Sequence, residues 1–173
     1  MTDSQIDILK TALDWAKAEM FSALFFALFG LVFLSASICF WHFGKTDTAK
    51  SYIIPFLVVG ILLVILGVGL VISNQIRLSS FPLAFDANPN AFLAQEIARI
   101  DKTLTGFETA IFKVIPIIIV IAAMLLLFVK SPIWQASMIA VIAMMAVILV
   151  VDTNSGARLA SYKQALPHQE HQK

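Results

Sequence analysis

Four long apolar runs limit what this chain can fold into more than any other feature of its sequence. They are Met20–Phe43, Tyr52–Ser73, Ile111–Val129 and Ile133–Val151. A bilayer core about 30 Å thick needs roughly 20 apolar residues in helical form, and each run meets or approaches that length. Strands of a membrane barrel would alternate in polarity over shorter segments, and none of these runs alternates. A soluble core does not account for them either. Of the 173 residues, 60% are hydrophobic and 13% charged, with a mean hydropathy of +0.89. Soluble domains sit near ~45–50% apolar and ~25% charged.

The expected fold class is therefore all-α and integral to a membrane, with four transmembrane helices. The connections Gly44–Ser51 and Lys130–Pro132 are short enough to force two antiparallel hairpins. Pro55, Pro116 and Pro132 fall at or near the starts of runs, where a missing N–H costs little. The expected organisation is an amphipathic helix over 1–19, a first transmembrane hairpin over 20–73, and a cytosolic connection over 74–110. That connection opens an amphipathic helix spanning 89–113. A second hairpin follows over 111–151, then a C-terminal segment over 152–173 whose polar end is expected to be disordered.

An even number of crossings leaves both termini on one side. Of the 12 Lys and Arg residues, Lys45, Lys50 and Lys130 fall on the opposite side, and the other nine (12 − 3) share the side of the termini. The positive-inside rule makes that side cytoplasmic. Compactness suggests a bacterial inner membrane. Trp41, Tyr52 and Trp134 suit an aromatic belt at the outer interface. The first 19 residues carry four acids and no small-residue cleavage site follows the first run, so that run is expected to be retained. A net charge of +1 gives no electrostatic basis for a nucleic-acid partner.

Amphipathic patterns lead into the apolar runs without a turn signal. Leu93, Ile97, Ile100, Leu104 and Phe107 recur three and four residues apart, forming one helical stripe. Asn88-Pro89 supplies its start, with Asn as cap and Pro at the first helical position. Ile6, Leu9, Leu13, Ala16 and Met20 repeat the pattern near the N-terminus, and Leu159, Tyr162 and Leu166 continue it beyond Gly156. Such stripes either lie on the membrane or pack together above it. Surface-lying helices are rich in Lys and Arg. Here Asp3, Asp7, Asp14 and Glu19 stand against Lys10 and Lys17, so a short inner-side helical bundle is expected. Leu93 to Phe107 is the candidate interaction stripe, offered to this chain's own helices, to another subunit or to a protein partner.

Two further groups stand out. Gly30, Gly60, Gly67, Ala136 and Ala140 form small-residue faces that let helix backbones approach closely in lipid. They serve either packing within the chain or an oligomer contact. Arg77, Asp152 and Arg158 form a polar cluster at the inner ends of the second and fourth runs. Charge near hydrocarbon is costly unless paired, so Asp152 is expected to meet Arg77 or Arg158. That pairing reads as a packing lock, with a gate or ligand site as the alternative.

The chain carries no metalloprotease, nucleophile-elbow, phosphate-loop or dinucleotide motif. His168 and His171 lack further ligands, so no metal site is expected, and no cofactor either. Cys39 is the one cysteine, and within an apolar run it is expected to be a buried thiol. No run has a charge near its centre, which disfavours an ion-coupled transporter. The functional expectation is a non-enzymatic polytopic protein acting by protein–protein interaction, such as an immunity or accessory protein for a membrane-acting partner. The alternative is a homo-oligomeric channel or passive small-solute pore.

Overall fold

A computed structural model describes residues 3–166, with side chains from Asp7 onward. The polar end of the chain, including His168 and His171, lies outside the described residues. Six α-helices follow one another: α1 (Asp3–Phe43), α2 (Asp47–Lys50), α3 (Ile53–Ala87), α4 (Pro89–Thr109), α5 (Ile115–Phe128) and α6 (Pro132–Ala165). A π-helical turn, Ala110–Val114, joins α4 to α5. Four continuous helical stretches are long and apolar enough to cross a membrane.

Local chemistry explains the boundaries. Thr46 caps α2 by accepting the Ala49 N–H at 3.2 Å. Asn88 is the single residue between α3 and α4. Its backbone is extended, as a residue before proline prefers, and its side chain accepts the Ala91 N–H at 3.0 Å. Between α5 and α6, Gln135 Nε2 donates to the Val129 carbonyl at 2.9 Å and closes the turn.

The 74–110 connection is helical on both sides of Asn88, because α3 runs on past the second apolar run and takes Pro82 into its interior. From Pro89 the chain stays helical to Phe128. The π-turn stands immediately before Pro116, and the Ile115 N–H reaches back to the Ala110 carbonyl. In regular α geometry the Pro116 ring would crowd the Phe112 carbonyl. The widened turn sits where that conflict would fall.

α1 lies along α3, and residue numbers rise on one as they fall on the other. Ser37 Oγ donates to the Ile53 carbonyl at 2.7 Å. A Cβ added to Gly30 would stand 2.8 Å from the Gly60 carbonyl oxygen, and one on Gly67 would stand 2.6 Å from the Ala27 backbone nitrogen. Only glycine permits this approach. α6 packs on both helices and α5 packs chiefly on α6.

Two cores result. One is apolar and combines Phe26 and Phe33 of α1, Val59 and Leu63 of α3, and Ala140 and Val151 of α6. The other lies at the opposite end, where Trp15, Phe81, Phe85, Phe92, Ile100, Leu159 and Tyr162 meet from α1, α3, α4 and α6. Each fully buried large side chain of this second core, such as Phe85, Ile100 or Leu159, contributes about 1.5–3 kcal/mol. Only 17–28% of the apolar window in each long helix is buried. The outward apolar surface far exceeds what a water-soluble monomer exposes, and a multi-pass membrane protein accounts for it.

Candidate functional site

Trp15 is the centre of the second core and is 8% exposed. Its ring stacks on Tyr162 with centroids 5.2 Å apart and planes 12° from parallel. The Arg99 guanidinium carbon stands 4.6 Å from the Trp15 ring centroid, and that of Arg77 stands 5.6 Å away. Cation–π attraction strengthens where the cation is desolvated, which suits this setting.

Glu96 anchors Arg99 from within. It is 4% exposed. Arg99 grips it with both ends of its fork, Nε donating to Oε2 at 2.9 Å and Nη2 to Oε1. The Tyr162 hydroxyl donates to Glu96 Oε1 at 3.2 Å. Burial pushes the Tyr162 phenol up from its ordinary value, and the Glu96 charge and hydrogen bond add to the effect. Trp15 Nε1 is buried and has no hydrogen-bond partner. An unpaired buried donor costs about 1–3 kcal/mol.

A second polar layer sits nearer the apolar core. Arg158 of α6 reaches α1, donating to Glu19 Oε1 from Nε at 3.2 Å and from Nη2 at 3.0 Å. Its Nη2 also donates to Ser155 Oγ at 3.0 Å. On α3, Arg77 Nη1 donates to Asn74 Oδ1 at 2.7 Å, and the Asn74 amide donates to the Leu70 carbonyl. Burial, then the nearby Arg99 charge, lowers the Arg77 pKa, while Glu96 and Glu19 oppose the change.

The expected pairing of Asp152 with Arg77 or Arg158 does not form. Glu19 takes Arg158, and Arg77 turns to Asn74 and the Trp15 face. Asp152 makes no ion pair among the described residues and is half-buried. Burial raises its pKa to about 6, and the Glu19 charge adds to the rise.

The other candidate residues have places too. In the proposed interaction stripe, Leu93 and Ile100 are buried in the Trp15 core, with Ile97, Leu104 and Phe107 packed against it. Their apolar surface is used by this chain. The small-residue faces also meet inside the chain: Gly30, Gly60 and Gly67 in the α1–α3 contact, with Ala136 and Ala140 buried on α6. Trp15, Glu19, Glu96 and Tyr162 were not singled out as a group by sequence. Glu96 and Arg99 lie three residues apart, the one local signal that could have found part of it.

Outside this polar core, α1 and α6 leave an open groove of about 490 Å³. Trp15 and Tyr162 line it with Ala18, Ala157, Ser161 and Ala165, and Asp14 and Arg158 bring charge of both signs. Among the described residues, no three His, Cys, Asp or Glu side chains are grouped to hold a metal. The chemistry of the site is that of charge pairing and concave apolar contact. No family model matches the chain, and no curated protein or solved structure matches it either.

Proposed function

We propose that this chain is a multi-pass protein of a bacterial inner membrane that catalyses no reaction and acts by binding a protein partner, as an immunity or accessory subunit does. In this reading its apolar helices cross the bilayer as two antiparallel hairpins. The Trp15 end, with both termini, stands on the cytoplasmic side as a short helical bundle. Nine of the 12 basic residues on that side support the orientation.

The groove between α1 and α6 carries the proposal. The Leu93–Phe107 stripe is occupied within the chain, so a partner must read another surface. Ala18, Ala157, Ser161 and Ala165 keep the groove walls low, which admits a helix backbone. The proposed occupant is one helix of the partner.

Crosslinking in native membranes, followed by isolation of wild type, Ala157→Trp and Ser161→Trp, tests this. A partner lost from both groove variants but kept by Gln95→Trp, on the exposed face of α4, supports the reading. The same partners on all four proteins would overturn it. The homo-oligomeric channel ranks second, because the small faces it would use already meet inside the chain. Ion flux through protein-loaded liposomes beyond that of empty vesicles would reverse the ranking.

A further inference from the structure

Two guanidiniums meet at Trp15, and one carboxylate serves them. Arg99 grips Glu96, while Glu19 is taken by Arg158 in the neighbouring layer. Arg77 makes no ion pair among the described residues. Its Nη1 donates to Asn74 Oδ1 at 2.7 Å, and its guanidinium carbon stands 5.6 Å from the Trp15 ring centroid. Its Nε and Nη2 bond to no other group among the described residues. A partly buried cation is costly unless paired, so this position favours an anion.

Depth says which anion is at hand. The second apolar run ends at Ser73, and Arg77 follows four residues later on the same helix. At 1.5 Å per residue that is roughly 6 Å. The headgroup layer outside a ~30 Å hydrocarbon core is roughly 5–7 Å deep on each side. With the apolar helices across a bilayer, Arg77 stands at the level of the lipid phosphates. Ile72 and Ile76, close by on α3, are exposed. The fold also gives a lipid room. α3 and α4 meet as a hairpin at Asn88, closed near its tip by Phe81 and Phe85 against Phe92. Farther from the tip, α5 packs on α6 and makes no substantial contact with α3. α6 packs on both and floors the cleft between them. Arg77 and Arg99, one from each arm of the hairpin, converge on Trp15 at the closed end of that cleft.

We infer that Arg77 holds the phosphate of an anionic phospholipid whose acyl chains stand between α3 and α5. The phosphate oxygens accept from the free Nε and Nη2, giving charge-assisted bonds of the kind guanidinium forms with phosphate. Basic positions between membrane helices serve headgroups in this way. Two guanidiniums against one carboxylate leave one positive charge, which a lipid with one net negative charge cancels and a zwitterionic lipid does not. The inference rests on the reading that the four long helices cross a bilayer. It does not depend on the α1–α6 groove or on any protein partner.

The test is native mass spectrometry of the full chain released from nanodiscs holding phosphatidylglycerol and phosphatidylcholine in equal amounts. The expected result is one phosphatidylglycerol kept per chain in preference to phosphatidylcholine. Arg77→Gln should lower that retention about tenfold, the scale of one charge-assisted hydrogen bond. Lys10→Gln, on an exposed face of α1, should leave it unchanged. Ser80→Glu sets a carboxylate three residues from Arg77 at an exposed position and should displace the lipid while the arginine stays. If Arg77→Gln does not fold, Ser80→Glu decides alone. Equal retention of the two lipids by wild type, or undiminished phosphatidylglycerol on folded Arg77→Gln, would overturn the inference. A phosphate adduct in place of the lipid, with inorganic phosphate in excess, would make the occupant a free anion and overturn the lipid. Extraction of the chain from its native membrane by alkaline carbonate would sink the membrane-spanning reading as well. A chain that resists extraction yet shows no lipid preference sinks this inference alone.

Discussion

At the scale of single residues, Asp152 makes a thermodynamic prediction. Its carboxyl holds its proton up to about pH 6 in the folded protein, against an ordinary value of 3.8. The folded state therefore binds more protons than the unfolded chain between those values. Stability falls as pH rises through that window and is level above it. Asp152→Asn removes the penalty. It should be more stable than wild type by about 1–3 kcal/mol at pH 7.5, allowing for partial exposure, and indistinguishable near pH 4. Thermal unfolding in detergent at the two pH values checks the sign. Glu96 predicts the opposite outcome. Truncating it strands the half-buried Arg99 and leaves the Tyr162 hydroxyl unbonded. Glu96→Ala should cost about 3–5 kcal/mol, as expected when one partner of a buried pair is lost. A loss below ~1 kcal/mol would mean that water already reaches the pair.

At the scale of elements, α1 shows what apolarity can and cannot reveal. Its inward seam runs Ala12, Ala16, Glu19, Ala23, Phe26, Gly30, Phe33 and Ser37, alternating four and three residues apart. That is the spacing of a coiled-coil seam, carried from the polar end into the apolar core without a break. Of the stripe expected from sequence, Ala16 belongs to this seam, whereas Leu9, Leu13 and Met20 stand beside it and are only partly buried. In lipid an outward Leu is as comfortable as an inward one, so hydrophobicity does not distinguish the faces. Smallness does, because helix contact there depends on close backbone approach. The glycine faces were legible for that reason, and the Leu93–Phe107 stripe was legible because the opposite face of α4 is polar, with Gln95, Asp101, Lys102 and Glu108 exposed. Gly67 and Gly69 test the argument two residues apart. A side chain at Gly67 meets α1 backbone, whereas one at Gly69 meets nothing within 4 Å. Gly67→Leu should lower stability by at least about 1–3 kcal/mol, and Gly69→Leu by less than ~0.5 kcal/mol. Equal effects in thermal unfolding would deny the observed α1–α3 register.

At the scale of the whole molecule, length is the deciding quantity. The four long stretches contain 34 to 41 residues, or roughly 50–60 Å at 1.5 Å per residue. A hydrocarbon core near 30 Å accommodates only about half of that. The apolar halves lie at one end of the molecule and the Trp15 core holds the other together; in the proposed reading the remaining ~20–30 Å stands clear of the bilayer on one side. The run of Leu93 into Ile119 without a turn was legible, and in the structure the chain is helical throughout it; the proposed reading makes stalk and transmembrane bundle share one set of helices. The helical course of 74–87 and the π-turn before Pro116 were not. The first lacks a clean apolar stripe, and the second answers a backbone conflict that no periodicity records. Which side the Trp15 end occupies can be read by chemical labelling. Cys39 is not buried as its apolar run suggested but faces outward, and it is replaced by Ser to give a clean background. A membrane-impermeant maleimide should then label Lys45→Cys and Lys130→Cys on intact cells. Lys102→Cys and Gln164→Cys, on exposed faces of α4 and α6, should react only after permeabilisation. The reverse pattern would place the groove outside the cell, and the partner with it. Labelling of all four on intact cells would mean that the chain does not cross the membrane in this way.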